Sequence, residues 1–166
     1  ERYIDVFPSR GYKVRVATHE DIEEIAEIRC ALEGFCAYSL AKDIETPQAI
    51  ETLNALKAKL EEQKQLELNH SDLESFAESD SEFHNIIIDY MQNKQFSSTF
   101  HNYEHKMKEL KKHFLLYPGR MNAAIKEHAY IIELIESGVD TKVFEFINDH
   151  ADVTTFVAHR DAEDGS

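Results

Sequence analysis

The stretch 73–91, LESFAESDSEFHNIIIDYM, decides the fold. Projected at about 100° per residue, Leu73, Phe76, Ala77, Phe83, Ile87 and Met91 fall on one stripe, the pattern of an amphipathic helix with one face in a core. Asp80 and His84 lie in the middle of that stripe, four residues apart and therefore side by side. A carboxylate carried into an apolar interior must be paired or neutralised. The helix that helps to make the core thus brings a charge into it.

The same period continues outward in both directions. A first helix is expected from about Thr18 to Lys42, with Thr18 as cap and Asp21 at the capping-box position. A second follows the Thr46-Pro47 pair and runs to about Lys64. The third begins near Ser71, with Glu74 three residues on, reaches about Met91, and has Glu78–Asp80 as the place where it could break. A fourth follows Asn93 and ends near Tyr117-Pro118-Gly119. A fifth spans Met121 to Ser137 and stops at Gly138, and a sixth starts after Asp140 and fades near His159. Short connections between such helices give an antiparallel bundle. Ahead of them, residues 1–16 alternate as a short β-hairpin, with Ile4 and Val6, then Tyr12, Val14 and Val16, around a Pro8-Ser9-Arg10-Gly11 turn. The expected architecture is all-α: a bundle of six to seven helices over 17–159, the hairpin before it, and a disordered tail at 160–166.

Composition narrows the function. A chain of 166 residues with 42% hydrophobic and 30% charged residues can bury its own core. It contains no apolar run long enough to span a membrane and no signal-peptide pattern. Its two cysteines, Cys30 and Cys36, fit a single helix in a reducing cytoplasm. The net charge of -14 repels a phosphate backbone. The first fifteen residues are the exception, with Arg2, Arg10, Lys13 and Arg15 against Glu1 and Asp5. The chain begins with Glu1 and is read as the later part of a longer protein.

The decisive test is which polar residues fall on apolar faces. On the fifth helix Met121, Ala124, Ile125, Ile131, Ile132 and Ile135 surround His128. On the sixth, Val143, Phe146, Ile147, Val153 and Val157 surround His150. One histidine on such a face is ordinarily a satisfied core residue. Three on three helices, plus Asp80, are compensated together by a cation. Asp80, His84, His128 and His150 give a set of three nitrogens and one oxygen that suits Zn²⁺ first, with Ni²⁺ or Mn²⁺ as alternatives. Such a centre keeps about one positive charge and attracts a small anion. His101 and His105 are also four apart but project away from the expected core stripe of the fourth helix (Phe96, Phe100, Tyr103, Met107, Leu110, Phe114), so they serve as a control. In the first helix Arg29 and Glu33 interrupt a stripe of Ile22, Ile25, Leu32, Cys36 and Leu40. They are either a structural i,i+4 ion pair or an arginine fork for a carboxylate ligand, oriented by Glu33. Arg120, just before the fifth helix, is a weaker candidate for a second anchor and is read first as an exposed boundary arginine.

In order, RCALE (29–33), DSEFH (80–84), Asn93, Arg120 with the KEH that ends at His128, and NDH (148–150) resemble the FCD domain of FadR-type regulators in the GntR family. The likeness covers about residues 18–158, and PSRGYKV resembles the end of the wing of the winged helix-turn-helix domain that precedes it in that family. The resemblance implies a metal held by Asp80, His84, His128 and His150, and a small organic acid or sugar acid bound beside it, with Arg29 facing the cavity. It also implies a homodimer whose operator DNA is contacted by the N-terminal domain and not by these residues. An effector-sensing, non-enzymatic role is expected. The alternatives are a metal-dependent enzyme acting on an organic acid, for which no HExxH motif is present, and a structural metal bundle used for dimerisation.

Overall fold

The computed structural model describes residues 4–7, 11–14, 19–69 and 72–147; no side chain is described before Glu24, nor at 25, 105–110, 113 or 114. Two strands, β1 (Ile4–Phe7) and β2 (Gly11–Val14), pair antiparallel with Ile4 opposite Val14 and Phe7 opposite Gly11. Six helices follow among the described residues: α1 (His19–Lys42), α2 (Pro47–Leu68), α3 (Leu73–Asp89), α4 (Lys94–Leu115), α5 (Arg120–Glu136) and α6 (140–147). The expected cap Thr18, the later part of the sixth helix with His150, and the tail 160–166 lie outside the described residues.

Local chemistry explains the boundaries. Thr46 accepts a hydrogen bond from the Ala49 amide through Oγ1, 3.2 Å, and Pro47 takes the first helical position, where its missing N–H costs nothing. The α2 stripe then runs Ala49, Leu53, Leu56, Leu60, all buried, and the helix persists to Leu68 rather than ending near Lys64. The cap of α3 is Asp72, one residue after the expected start near Ser71, which lies outside the described residues. Asp72 Oδ1 accepts from the Ser75 amide at 2.9 Å. The α3 helix is continuous through Glu78–Asp80, because Asp80 finds partners from other helices and has no need to leave the helical ladder. At the end of α5, Gly138 adopts φ 68°, a left-handed conformation in which a side chain is strained.

The topology places α3 and α5 at the middle of the bundle, since α1, α2 and α4 each pack against both. The main core joins Leu40, Leu56, Phe83, Ile87, Phe100, Ile131, Ile135 and Ile147, drawn from all six helices. A smaller cluster of Phe76, Ala77, Leu115 and Ala124 closes one side. Among the described residues no helix is long and apolar enough to cross a membrane. Leu56→Ala is expected to lower the unfolding free energy by about 2–5 kcal/mol. Ile50→Ala, on the same helix but 47% exposed, should change it by less than about 0.5 kcal/mol. Denaturant titration of both variants checks the assignment of the α2 face.

Candidate metal centre

Asp80 and His84 project from successive turns of α3 toward His128 on α5, whose flanking residues Ala124, Ile131 and Ile132 are buried. His84 and His128 are fully enclosed, at 1% and 0% exposure. One donor atom from each of Asp80, His84 and His128 can be chosen so that all three lie within 4.8 Å of one another. Asp80 Oδ1 is 3.5 Å from His128 Nε2, and Asp80 Oδ2 is 3.9 Å from His84 Nε2. Phe83 holds the rings in place. It stacks on His128 with centroids 4.1 Å apart and meets His84 edge to face at 5.6 Å.

The hydrogen bonds fix which nitrogen of each imidazole faces the centre. His84 Nδ1 meets the Glu33 carboxylate, which only accepts, so Nδ1 carries the proton. His84 Nε2 meets Arg29 Nη2 at 2.6 Å, and a guanidinium only donates, so Nε2 carries the lone pair. Gln63 Nε2 donates to the Ser79 carbonyl at 3.1 Å. That contact orients the amide and leaves Gln63 Oε1 as acceptor for His128 Nδ1 at 2.7 Å. Both rings are therefore protonated on Nδ1 by contacts in the surrounding shell and turn Nε2 toward Asp80. Metal-binding histidines are oriented in this way, by a carboxylate or carbonyl on the remote nitrogen.

Two cations complete the cluster. Arg29 Nε donates to Glu33 Oε2 at 3.0 Å. Lys111 Nζ, on α4, lies 3.0 Å from Asp80 Oδ2, 2.8 Å from Glu104 Oε2 and 3.3 Å from Ser81 Oγ. Burial raises the Asp80 carboxyl pKa, but Lys111, His84, His128 and Arg29 outweigh it and hold Asp80 well below the ordinary carboxylate range. Glu104 is lowered in the same way, with Lys111 and Arg29 overcoming burial. Burial also opposes the charge on Arg29, yet Glu33, Glu104 and Asp80 raise its pKa further. Burial and Arg29 push the His84 pKa down against the pull of Glu33. Nearby Cys36 is a buried thiol pushed up to about 12, chiefly by burial and then by Glu33 and Asp89, so the donors here are nitrogen and oxygen.

Of the residues expected from sequence, the structure brings together Asp80, His84, His128, Arg29 and Glu33. Glu33 meets Arg29 and His84 at once, so the i,i+4 ion pair is present and is shared with a histidine. Arg120 is engaged elsewhere: Nη1 and Nη2 both donate to Glu127 Oε2 at 2.9 Å. The control His101 is exposed, and the side chain of His105 lies outside those described. Gln63, Glu104 and Lys111 were not anticipated. Gln63 continues the buried stripe of α2, three residues after Leu60. Lys111 and Glu104 fall outside the expected stripe of α4, in which Phe100 is buried and the side chains of Met107, Leu110 and Phe114 lie outside those described. Lys111 and Leu115 are buried as well, with the Glu104 side chain nearly enclosed beside them.

The shifted groups predict acid sensitivity of the metal-free protein. His84 titrates near its ordinary value of about 6.5 in the unfolded chain but lower in the folded one. As pH falls through about 6.5 the unfolded chain takes up a proton that the folded one refuses, so stability drops until the folded imidazole also titrates. Asp80 adds a second loss that begins near its unfolded value of about 4 and continues toward its lower folded value. After chelator treatment, Tm should fall between about pH 7 and pH 5.5, and His84→Asn should flatten that slope. A wild-type Tm independent of pH in this window contradicts the protonation pattern.

Comparison with known proteins identifies the fold. A family model described as the FCD domain matches residues 24–153. Two solved structures share the fold. One is that of Lar, described as controlling the expression of the Listeria monocytogenes agr system and mediating virulence, with 14% identity, TM-score 0.74, and coverage of 96% of this chain and 74% of the other. The second is a GntR-family transcriptional regulator from Pseudomonas syringae pv. tomato, with 18% identity, TM-score 0.62, and coverage of 98% and 68%. No curated protein sequence matches the chain. The family match spans most of the chain, takes in α2 to α6 entire and runs through every residue of the Asp80 cluster: the protein belongs to the FCD domain family.

Proposed function

We propose that this chain is the effector-sensing domain of a bacterial GntR-type transcription regulator, and that its core holds a divalent ion, Zn²⁺ first, together with a small organic acid or sugar acid. One observation carries the reading: two buried imidazoles, each donating Nδ1–H to a fixed acceptor, turn their Nε2 atoms toward one carboxylate in an FCD-family chain. His150, in the segment after α6, is the fourth proposed donor and would complete the set of three nitrogens and one oxygen.

Charge supports an acidic effector. Asp80, Glu33 and Glu104 against Arg29 and Lys111 leave the cluster at −1 when the imidazoles are neutral. A divalent ion brings it to +1, which one carboxylate neutralises. When bound, that ion supplies a Lewis-acidic centre on which a carboxylate oxygen is held. Arg29 then contributes a planar donor to the same ligand while Glu33 holds its Nε. Arg120 could reach an anion only by releasing Glu127. The effector binds one arrangement of the full-length dimer better than another and shifts the population by that difference. Operator DNA is contacted by a separate N-terminal domain, since a chain of net charge -14 has the wrong sign for phosphate.

Elemental analysis should find one equivalent of metal in the purified protein, with most of it lost in His128→Ala and all of it kept in His101→Ala. Gln63→Leu removes the acceptor that orients His128 and should weaken metal binding by about 10–100-fold. In the metal-loaded protein an acid effector at a hundredfold its Kd stabilises by about 2.7 kcal/mol, a Tm rise of roughly 5–10 °C. Arg29→Gln should abolish that rise. Equal metal content in all variants contradicts the site, and turnover of an organic acid by the metal-loaded protein favours an enzyme instead.

A further inference from the structure

His84 Nε2 has a single lone pair, and Arg29 Nη2 stands 2.6 Å from it. An imidazole nitrogen cannot accept that hydrogen bond and ligate a metal with the same electron pair. Asp80 is engaged less completely: its Oδ2 is 3.0 Å from the Lys111 ammonium, which offsets its charge, while both oxygens keep further lone pairs. Both cations belong to the core, with only 11% of the Arg29 side chain and 6% of the Lys111 side chain exposed. Each has a second carboxylate at hand, Glu33 for Arg29 and Glu104 for Lys111. They can therefore leave His84 and Asp80 without becoming unpaired in the interior. A cation that served only to neutralise Asp80 would have no reason to lie against the lone pair of His84.

We infer that Arg29 and Lys111 are displaceable resident cations: Arg29 occupies His84 Nε2 in the metal-free protein and must yield it before a divalent ion can be held there, and Lys111 competes with that ion for the charge of Asp80. The inference rests on the proposed metal site and adds an order to it. Arg29 releases His84 Nε2, keeps its Nε on Glu33, and turns its freed Nη2 toward the anion. Lys111 loosens from Asp80 and keeps Glu104, already 2.8 Å away. Metal capture and exposure of the carboxylate anchor are then one event, so the acid binds well only after the metal. Arg29 and Lys111 act as positioning residues that set metal affinity, one through His84 and the other through Asp80.

The test uses Zn²⁺ alone, with affinity measured by competition against a chromophoric chelator and folding followed by circular dichroism. Arg29→Lys keeps the charge and the reach to Glu33 but loses the fork that spans Glu33 and His84. It should bind Zn²⁺ roughly tenfold more tightly than the wild type. Lys111→Met should do the same, and Arg120→Gln, which removes a cation paired away from the triad, should not. Wild-type affinity in both Arg29→Lys and Lys111→Met overturns the inference even where the wild type binds Zn²⁺ and the metal site itself stands. Zn²⁺ binding by the two variants but not by the wild type supports the inference and removes the metal from the native resting state. If none of the three binds Zn²⁺, both readings fall.

Discussion

Two imidazoles are buried in this bundle with their Nδ1 protons already committed, one to Glu33 and one to Gln63. That constraint organises the surrounding structure. It requires a carboxylate from α1 and an amide from α2 to reach the same interior point as α3 and α5. It also leaves both Nε2 atoms facing Asp80, which demands a cation. Burying any one of these groups alone is costly. Together they form a network whose members offset one another, and in which the loss of one strands the rest.

The fold supplies what the network needs. Helices α3 and α5 are the two that α1, α2 and α4 all touch, so a site between them can draw a residue from each. Phe83 separates the site from the apolar core on α3 while stacking on His128, so the same helix serves packing and chemistry. Lys111 and Glu104 close the site from α4. A ligand that rearranged these contacts would act on five helices at once, which is the physical basis for coupling a small effector to the geometry of a whole domain.

Much of this was legible in the sequence. The helical period placed the helices seen among the described residues, alternation placed the hairpin, and Asp80, His84 and His128 declared themselves as polar residues in the middle of apolar stripes. Arg29 and Glu33 were visible for the same reason. Gln63 was not, although it prolongs the spacing of Ala49, Leu53, Leu56 and Leu60, because the expected second helix was ended near Lys64 and its last turn was not read as core. Lys111 and Glu104 were hidden by the aromatic residues of the fourth helix, which define an apolar stripe that leaves both outside it. A lysine beside another lysine and a histidine reads as a solvated run, and only the tertiary pairing with Asp80 and Glu104 reveals it as interior. His150 lies beyond the described residues, and its part in the site stays with the sequence.

The most direct measurement is the tautomeric state of the imidazoles by ¹⁵N NMR of the metal-free protein. His84 and His128 are both predicted to carry a proton on Nδ1 and none on Nε2, the arrangement that Glu33 and Gln63 enforce. A proton on Nε2 of either ring would turn a donor toward Asp80 in place of a lone pair, and would contradict the claim that the interior is prepared for a cation.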